Sequence, residues 1–192
     1  MALTASEVRS FGFGHVYAAP VGTDEPTEIN VAVDTDDWTD LGHGSDAGPR
    51  FSFGKARTPV SSWQSFPNAV RNLKGAAATT VSYDILQWNA DTILYALGDS
   101  GTWTDSGGGL YTYEPGETSD VDERAIIVEA TDGDYDYRFI YRRTENQAPT
   151  DFAFTGSALA PLPIVATLLQ PDGADKPYII QSNDPALATL GS

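Results

Sequence analysis

The run from Asp151 to Asp184, DFAFTGSALAPLPIVATLLQPDGADKPYIIQSND, constrains the fold more than any other part of this chain. Leu162, Ile164, Ala166 and Leu168 alternate with Val165, Thr167 and Leu169, so an extended segment would carry one apolar side and one partly apolar side. That period of two is what a strand buried on one face and half-buried on the other requires. Pro161 and Pro163 have no ladder donor and belong at the strand's entrance or on an edge. Pro171-Asp172-Gly173 ends the run, and Tyr178, Ile179 and Ile180 open another short strand before Asn183-Asp184-Pro185 stops it. The chain closes on antiparallel strands, and periodicity alone leaves open which β-fold they complete.

Upstream, further strands are readable in pieces. His15 to Ala19 is a short first strand stopped by Pro20 and Gly22; a polar loop, TDEPTEINVAVDTDD, follows, and Trp38 then serves as an anchor pinning it to the body. Residues 1–14, which show no clean period, are expected to form an arm. Residues 44–75 alternate only locally, at Phe51, Phe53 and Lys55, and are interrupted by Pro59 and Pro67. With Trp63 and Phe66 in its middle, this segment is expected to be a long projecting loop or hairpin that gains burial from a neighbouring subunit.

The main β body is expected over 76–182. In it Val81, Tyr83 and Ile85 alternate with Thr80, Ser82 and Asp84 along a half-buried strand. Next comes a helix near 90–97, with Asn89 as N-cap, Asp91 in the first turn, Gly98 as the stop, and Ile93, Leu94 and Leu97 as its apolar stripe. Leu110 to Tyr113 is a short strand, and Arg124 to Ala130 with Tyr135 to Arg142 flank an Asp-Gly hairpin turn. On the second of these strands Tyr135, Tyr137, Phe139 and Tyr141 form the packed side, and Asp136, Arg138, Ile140 and Arg142 a mostly polar one. Residues 183–192 are a C-terminal tail. The 192 residues read as a single domain.

Charge and composition exclude several functions. Eleven Lys and Arg against 27 Asp and Glu give a net charge of -16, a poor basis for gripping nucleic-acid phosphates. An Asp-rich, Lys-poor surface is also what work at high salt selects, since salt screens the self-repulsion. Cysteine is absent, so neither disulfides nor thiol chemistry is available. The start shows no secretory pattern, and the longest apolar stretch, Leu159 to Leu169, is too short to insert in a membrane. Asp132, Asp134 and Asp136 mimic the opening of a calcium loop, but Tyr137 and Arg143 stand where glycine and a bidentate glutamate are needed. His15 and His43 lack partners at metal-ligand spacing, and there is no nucleophile elbow or phosphate loop. No enzymatic role and no cofactor is expected.

In its order of elements the chain resembles the major tail tube proteins of tailed phages and related archaeal viruses. The likeness is carried by VYAAPVG, WTDLG, a long loop, TTVSYDILQWN, NADTILYALG, ERAIIVEATDGD and SALAPLPIVATLLQPDG. It implies a mainly β fold, an antiparallel β-sandwich or barrel with one short flanking helix. It also implies stacked hexameric rings that enclose a tape-measure protein, meet terminator and baseplate or tip proteins, and pass genomic DNA without sequence-specific binding. The subunit would be assembled in the host cytoplasm and reside in the virion tail. The arm and long loop are then expected at inter-ring contacts, with Phe51, Phe53, Trp63 and Phe66 as interface candidates and Thr80, Ser82, Asp84, Glu129 and Asp136 as candidates for the channel face. A terminator or baseplate ring protein is one alternative. An acidic carbohydrate-binding β-sandwich using Trp38, Trp63, Trp88 and Trp103 is another.

Overall fold

The computed structural model describes residues 7–54, 57–75, 78–98, 100–117, 121–147, 153–154, 156, 159–173 and 175–190. The first six residues of the expected arm, the beginning of the run at Asp151 and the last two residues of the tail lie outside them.

Twelve strands are found among the described residues: β1 (Phe13–Pro20), β2 (Thr39–Asp40), β3 (Arg50–Phe53), β4 (Arg57–Val60), β5 (Arg71–Lys74), β6 (Thr79–Ile85), β7 (Thr102–Asp105), β8 (Tyr111–Glu114), β9 (Glu123–Asp132), β10 (Tyr135–Gln147), β11 (Leu162–Leu168) and β12 (Tyr178–Ser182). Helix α1 (Ala90–Leu97) follows β6. All pairings are antiparallel, as expected of a mainly β chain. The main sheet runs β2-β1-β9-β10-β11-β6-β3, with β12 also on β10, while β4–β5 and β7–β8 are separate two-stranded ribbons.

The long strand β10 makes this sheet a sandwich. Its first part pairs with β9 and β12, a register shift falls between Tyr141 and Thr144, and its last part pairs with β11. A bulge bends the strand that carries it, so β10 passes from one layer into the other. The core between the layers takes Ala18, Ile126, Val128 and Tyr141 from the first and Val81, Tyr83, Ile85, Leu162, Ile164 and Ala166 from the second. Phe51 of β3 stacks on Phe139 with ring centroids 4.9 Å apart. The alternation read along β6 and β11 therefore marks the inward faces of one layer. Pro163 pairs opposite Asp84 of β6, one residue inside the entrance of β11.

The first layer differs from expectation on its outer side. Arg138 and Ile140 are buried rather than solvated, because residues 21–38 form a strap across that face. Val33 and Trp38 of the strap pack with Tyr17, Ala19, Ala125, Ile127 and Ile140 in a second core. The Trp38 indole N–H donates to the Asp24 carbonyl at 3.1 Å, which makes it the expected anchor. Arg138 donates to the Glu28 and Val31 carbonyls at 2.8 and 2.7 Å, and Arg142 grips Glu25 through two nitrogens at 2.5 and 3.0 Å.

Local chemistry explains the remaining elements. The Asn89 side chain accepts from the Thr92 amide at 2.8 Å while the Thr92 hydroxyl takes the Asn89 N–H at 3.0 Å, and Gly98 ends α1 at φ 66°. The buried face of α1 is Thr92, Tyr95 and Ala96, with Ile93 packed beside it, so the expected stripe is rotated and leaves Leu94 and Leu97 only half-buried. Asn89→Ala removes the cap and is expected to cost about 1 kcal/mol, seen as roughly a 2–4 °C fall in melting temperature. The β9–β10 turn is Gly133-Asp134, with Gly133 at φ 61°, so glycine takes the first central position rather than the second. Both strands run longer than their sequence limits, and every residue of the two except Gln147 is buried or half-buried. Among the described residues no helix is long and apolar enough to cross a membrane.

Candidate functional site

The two layers leave very different outer surfaces. Cross-strand registry places Arg50, Ser82, Val165 and Gln147 in one row and Ser52, Thr80, Thr167 and Glu145 in the next, all pointing away from the inter-layer core. Asp84 and Pro163 form a third row. Among the described residues no strap covers these rows, and β3 ends the sheet with one unpaired edge. This is a bare, polar four-strand face. Its shallow hollow beside Arg50, Ser82 and Asp84 is only about 100 Å³, too small for a typical small-molecule site.

The expected channel residues therefore divide. Thr80, Ser82 and Asp84 share the bare face. Glu129 and Asp136 point outward from the other layer, on the far side of the sandwich, and are already engaged there. Glu129 pairs with Arg138 at 2.5 Å, and Asp136 accepts from the Thr131 hydroxyl at 3.0 Å and neighbours the strap. A cleft of about 380 Å³ lies between strap residues 29–32 and β9–β10, but its charged lining is consumed by these same pairs. The five residues do not share one face of the subunit.

The aromatic candidates divide too. Phe51 is half-buried against Phe139 and Tyr141, and Phe53 lies 6.0 Å from Tyr178 in ring-centroid distance, so both have partners inside the subunit. Trp63 and Phe66, at the tip of the β4–β5 ribbon, are 91% and 78% exposed. Val60, Val70 and Leu73 add to that uncovered surface. Three of the four tryptophans spend their indole N–H on backbone carbonyls, Trp38 on Asp24, Trp88 on Ala160 and Trp103 on Ala90. Trp38 is buried, so the four do not form one exposed aromatic platform.

A cluster that the sequence did not signal ties the two ends of the chain. Arg9 reaches Asp184 at 2.6 Å, Tyr137 donates its hydroxyl to the same carboxylate oxygen, and Phe11 packs edge-on to Tyr137. The only hint in the sequence is Arg9, the one cation of a short stretch whose one acid is Glu7. The Tyr137 hydroxyl, followed by the Ala186 amide and Arg9, holds the Asp184 carboxyl below the usual range against the opposing effect of burial. A depressed native pKa stabilises above the unfolded value of about 3.9 and is lost as pH falls through the native one. The Arg9 Nε–H resonance is accordingly expected to stay protected from exchange at neutral pH and to lose protection only as pH falls past the ordinary carboxylate value and through the lower native one of Asp184. Asp184→Asn should release it at neutral pH and speed tryptic cleavage after Arg9.

What the described residues offer is a bare sheet face, an open edge and a projecting apolar ribbon. Comparison with curated proteins finds no match. The family described as phage tail tube protein matches residues 1–189, nearly the whole length. A mainly β sandwich with one helix agrees with it, and the chain belongs to the phage tail tube protein family, whose members are structural components of the virion tail.

Proposed function

We propose that copies of this chain close into hexameric rings, that the rings stack into the tail tube, and that the bare face of β3, β6, β11 and the end of β10 lines the bore. The observation that carries this reading is the asymmetry of the sandwich: one outer face is sealed by the strap, and the other is polar and, among the described residues, uncovered and bounded by an unpaired edge. An open edge is satisfied when neighbouring subunits continue the sheet around a ring, which removes edges altogether. Thr80, Ser82, Asp84 and Glu145 would then face the channel, with Arg50 the cation opposite Ser82. Duplex DNA, bearing roughly one charge per 1.7 Å, would slide past such a wall without being held.

The same reading has the tube enclose a tape-measure protein before DNA passes. It has terminator and baseplate or tip proteins close its ends, and assembly take place in the host cytoplasm. Negative-stain imaging of the purified chain tests it, with long tubes of stacked rings as the expected result. Single rings of fixed height would point instead to a terminator or baseplate component, and glycan-binding monomers to a carbohydrate reader. Ser82→Lys with Thr80→Lys is expected to leave tubes intact and slow DNA release from virions. Release at the normal rate would move the wall to another face.

A further inference from the structure

Charge is segregated along this chain in a way that the fold turns into polarity. The β4–β5 ribbon and its flanks carry Lys55, Arg57, Arg71 and Lys74, with no Asp or Glu between Asp46 and Asp84. The β7–β8 ribbon carries Asp105, Glu114 and Glu117 in a stretch with no Lys or Arg between Lys74 and Arg124. Both ribbons stand outside the main sheet and both expose large apolar side chains, Trp63, Phe66 and Leu73 on the basic one, Leu110 and Tyr111 on the acidic one.

They also leave the sheet at opposite ends of one strand. Phe53 pairs with Thr79, so the basic ribbon emerges at the start of β6. After Ile85 at its other end the chain enters α1, and the Trp103 indole donates to the Ala90 carbonyl, fastening the acidic ribbon there. Seven strand residues separate the two points by about 20 Å.

Among the described residues, internal ion pairing is confined to other charges. Arg9, Arg124, Arg138, Arg142 and Arg143 all pair with carboxylates of the body. Among the described residues Arg57 and Arg71 are exposed and form no ion pair, and neither do Asp105, Glu114 and Glu117. An exposed apolar ribbon rimmed by cations is complementary to an exposed apolar ribbon rimmed by carboxylates.

We infer that the basic β4–β5 ribbon of one copy docks on the acidic β7–β8 ribbon of a second copy, so that subunits join head to tail along β6. The contact is heterologous, using two different patches, and a heterologous contact propagates rather than ending at a dimer. It rests on the tube reading above and names which surface receives the projecting ribbon.

Charge reversal tests it. Arg57→Glu with Arg71→Glu, and separately Glu114→Lys with Glu117→Lys, are each expected to cut the sedimentable tube fraction at least about ten-fold, because attraction becomes repulsion. Combining all four changes restores complementarity and should bring tubes back to within about two-fold of the original chain. A four-fold variant as defective as either pair, or normal tubes from Glu114→Lys with Glu117→Lys, overturns the inference.

Because the chain has no cysteine, cross-linking gives a second readout that does not depend on the reversed variants folding. Asn72→Cys and Thr112→Cys placed in one chain should yield a ladder of covalent oligomers with a short bismaleimide, and the two single variants mixed should yield only dimers. Self-cross-linking of the Asn72→Cys chain alone overturns the head-to-tail geometry. Duplex DNA binding that needs Arg57 and Arg71, with tubes indifferent to their reversal, would make the ribbon a polyanion contact and overturn it too. Tubes from the unaltered chain throughout leave the tube reading standing whichever way these results fall; an unaltered chain that never forms tubes removes both.

Discussion

Replacing Arg138 by alanine is expected to lower the unfolding free energy by about 3–5 kcal/mol, the range found when one partner of a buried ion pair is removed. The guanidinium is 1% exposed and joins three segments. It pairs with Glu129 across the β9–β10 ladder and donates to the Glu28 and Val31 carbonyls of the strap. Alanine would leave a cavity under the strap and Glu129 unpaired. The Glu129 side chain is 24% exposed and can regain water, so much of the loss comes from the strap rather than from that carboxylate. Glu129→Gln should cost less, since the guanidinium keeps both carbonyls and gains an amide acceptor. Two readouts separate the local from the global effect. The melting temperature should fall by roughly 10 °C in Arg138→Ala. A glutamate-specific protease should cut after Glu28 faster than that fall in stability alone explains, because the strap is unlatched before the sheet unfolds. Equal protection of Glu28 in both proteins would show that Trp38 and Arg142 hold the strap without Arg138.

That strap also marks where sequence reasoning stops. The inward faces of β6 and β11 were legible because burial on one side writes a period of two, and α1 because its caps are side-chain events at Asn89 and Gly98. Trp38 was legible as an anchor because a lone indole in a solvated segment has little else to do. The covering of β10 was not. Its outer face reads Asp136, Arg138, Ile140, Arg142, a solvent pattern, and what makes Arg138 a buried residue is a pair of backbone carbonyls in TDEPTEINVAVDTDD that no side chain announces. The bulge at Arg142-Arg143 is equally silent, yet it moves Glu145 and Gln147 into the second layer beside the β11 rows. Glu129 of β9 and Asp136 of β10 likewise read as polar-face residues of central strands, as Ser82 does, although the sandwich turns them the other way. Alternation identifies a face of a strand; it does not say which of two layers that strand serves.

Trp63→Ser with Phe66→Ser is expected to abolish tube formation while leaving the folded monomer unchanged. Nothing in the subunit depends on these rings, which sit on a ribbon of two four-residue strands with no buried side chain between Arg57 and Phe66. Removing exposed aromatics from a monomer surface costs within about 0.5 kcal/mol, so melting temperature should hold to within roughly 2 °C. Assembly is another matter, because bulky aromatic anchors at the centre of a contact each contribute about 2 kcal/mol or more. Two such losses, about 4 kcal/mol per contact, raise the concentration needed for polymerisation roughly a thousand-fold. Sedimentation across a concentration series measures that directly. Salt distinguishes the apolar from the ionic part of the interface: added salt screens the Arg57 and Arg71 contacts but not the burial of the rings, so the original chain should weaken only modestly and the serine variant should stay dispersed at any ionic strength. Tubes that form at the usual concentration without Trp63 and Phe66 would mean that the ribbon is held by charge alone. A fall in monomer stability would mean that the rings fold back on their own subunit.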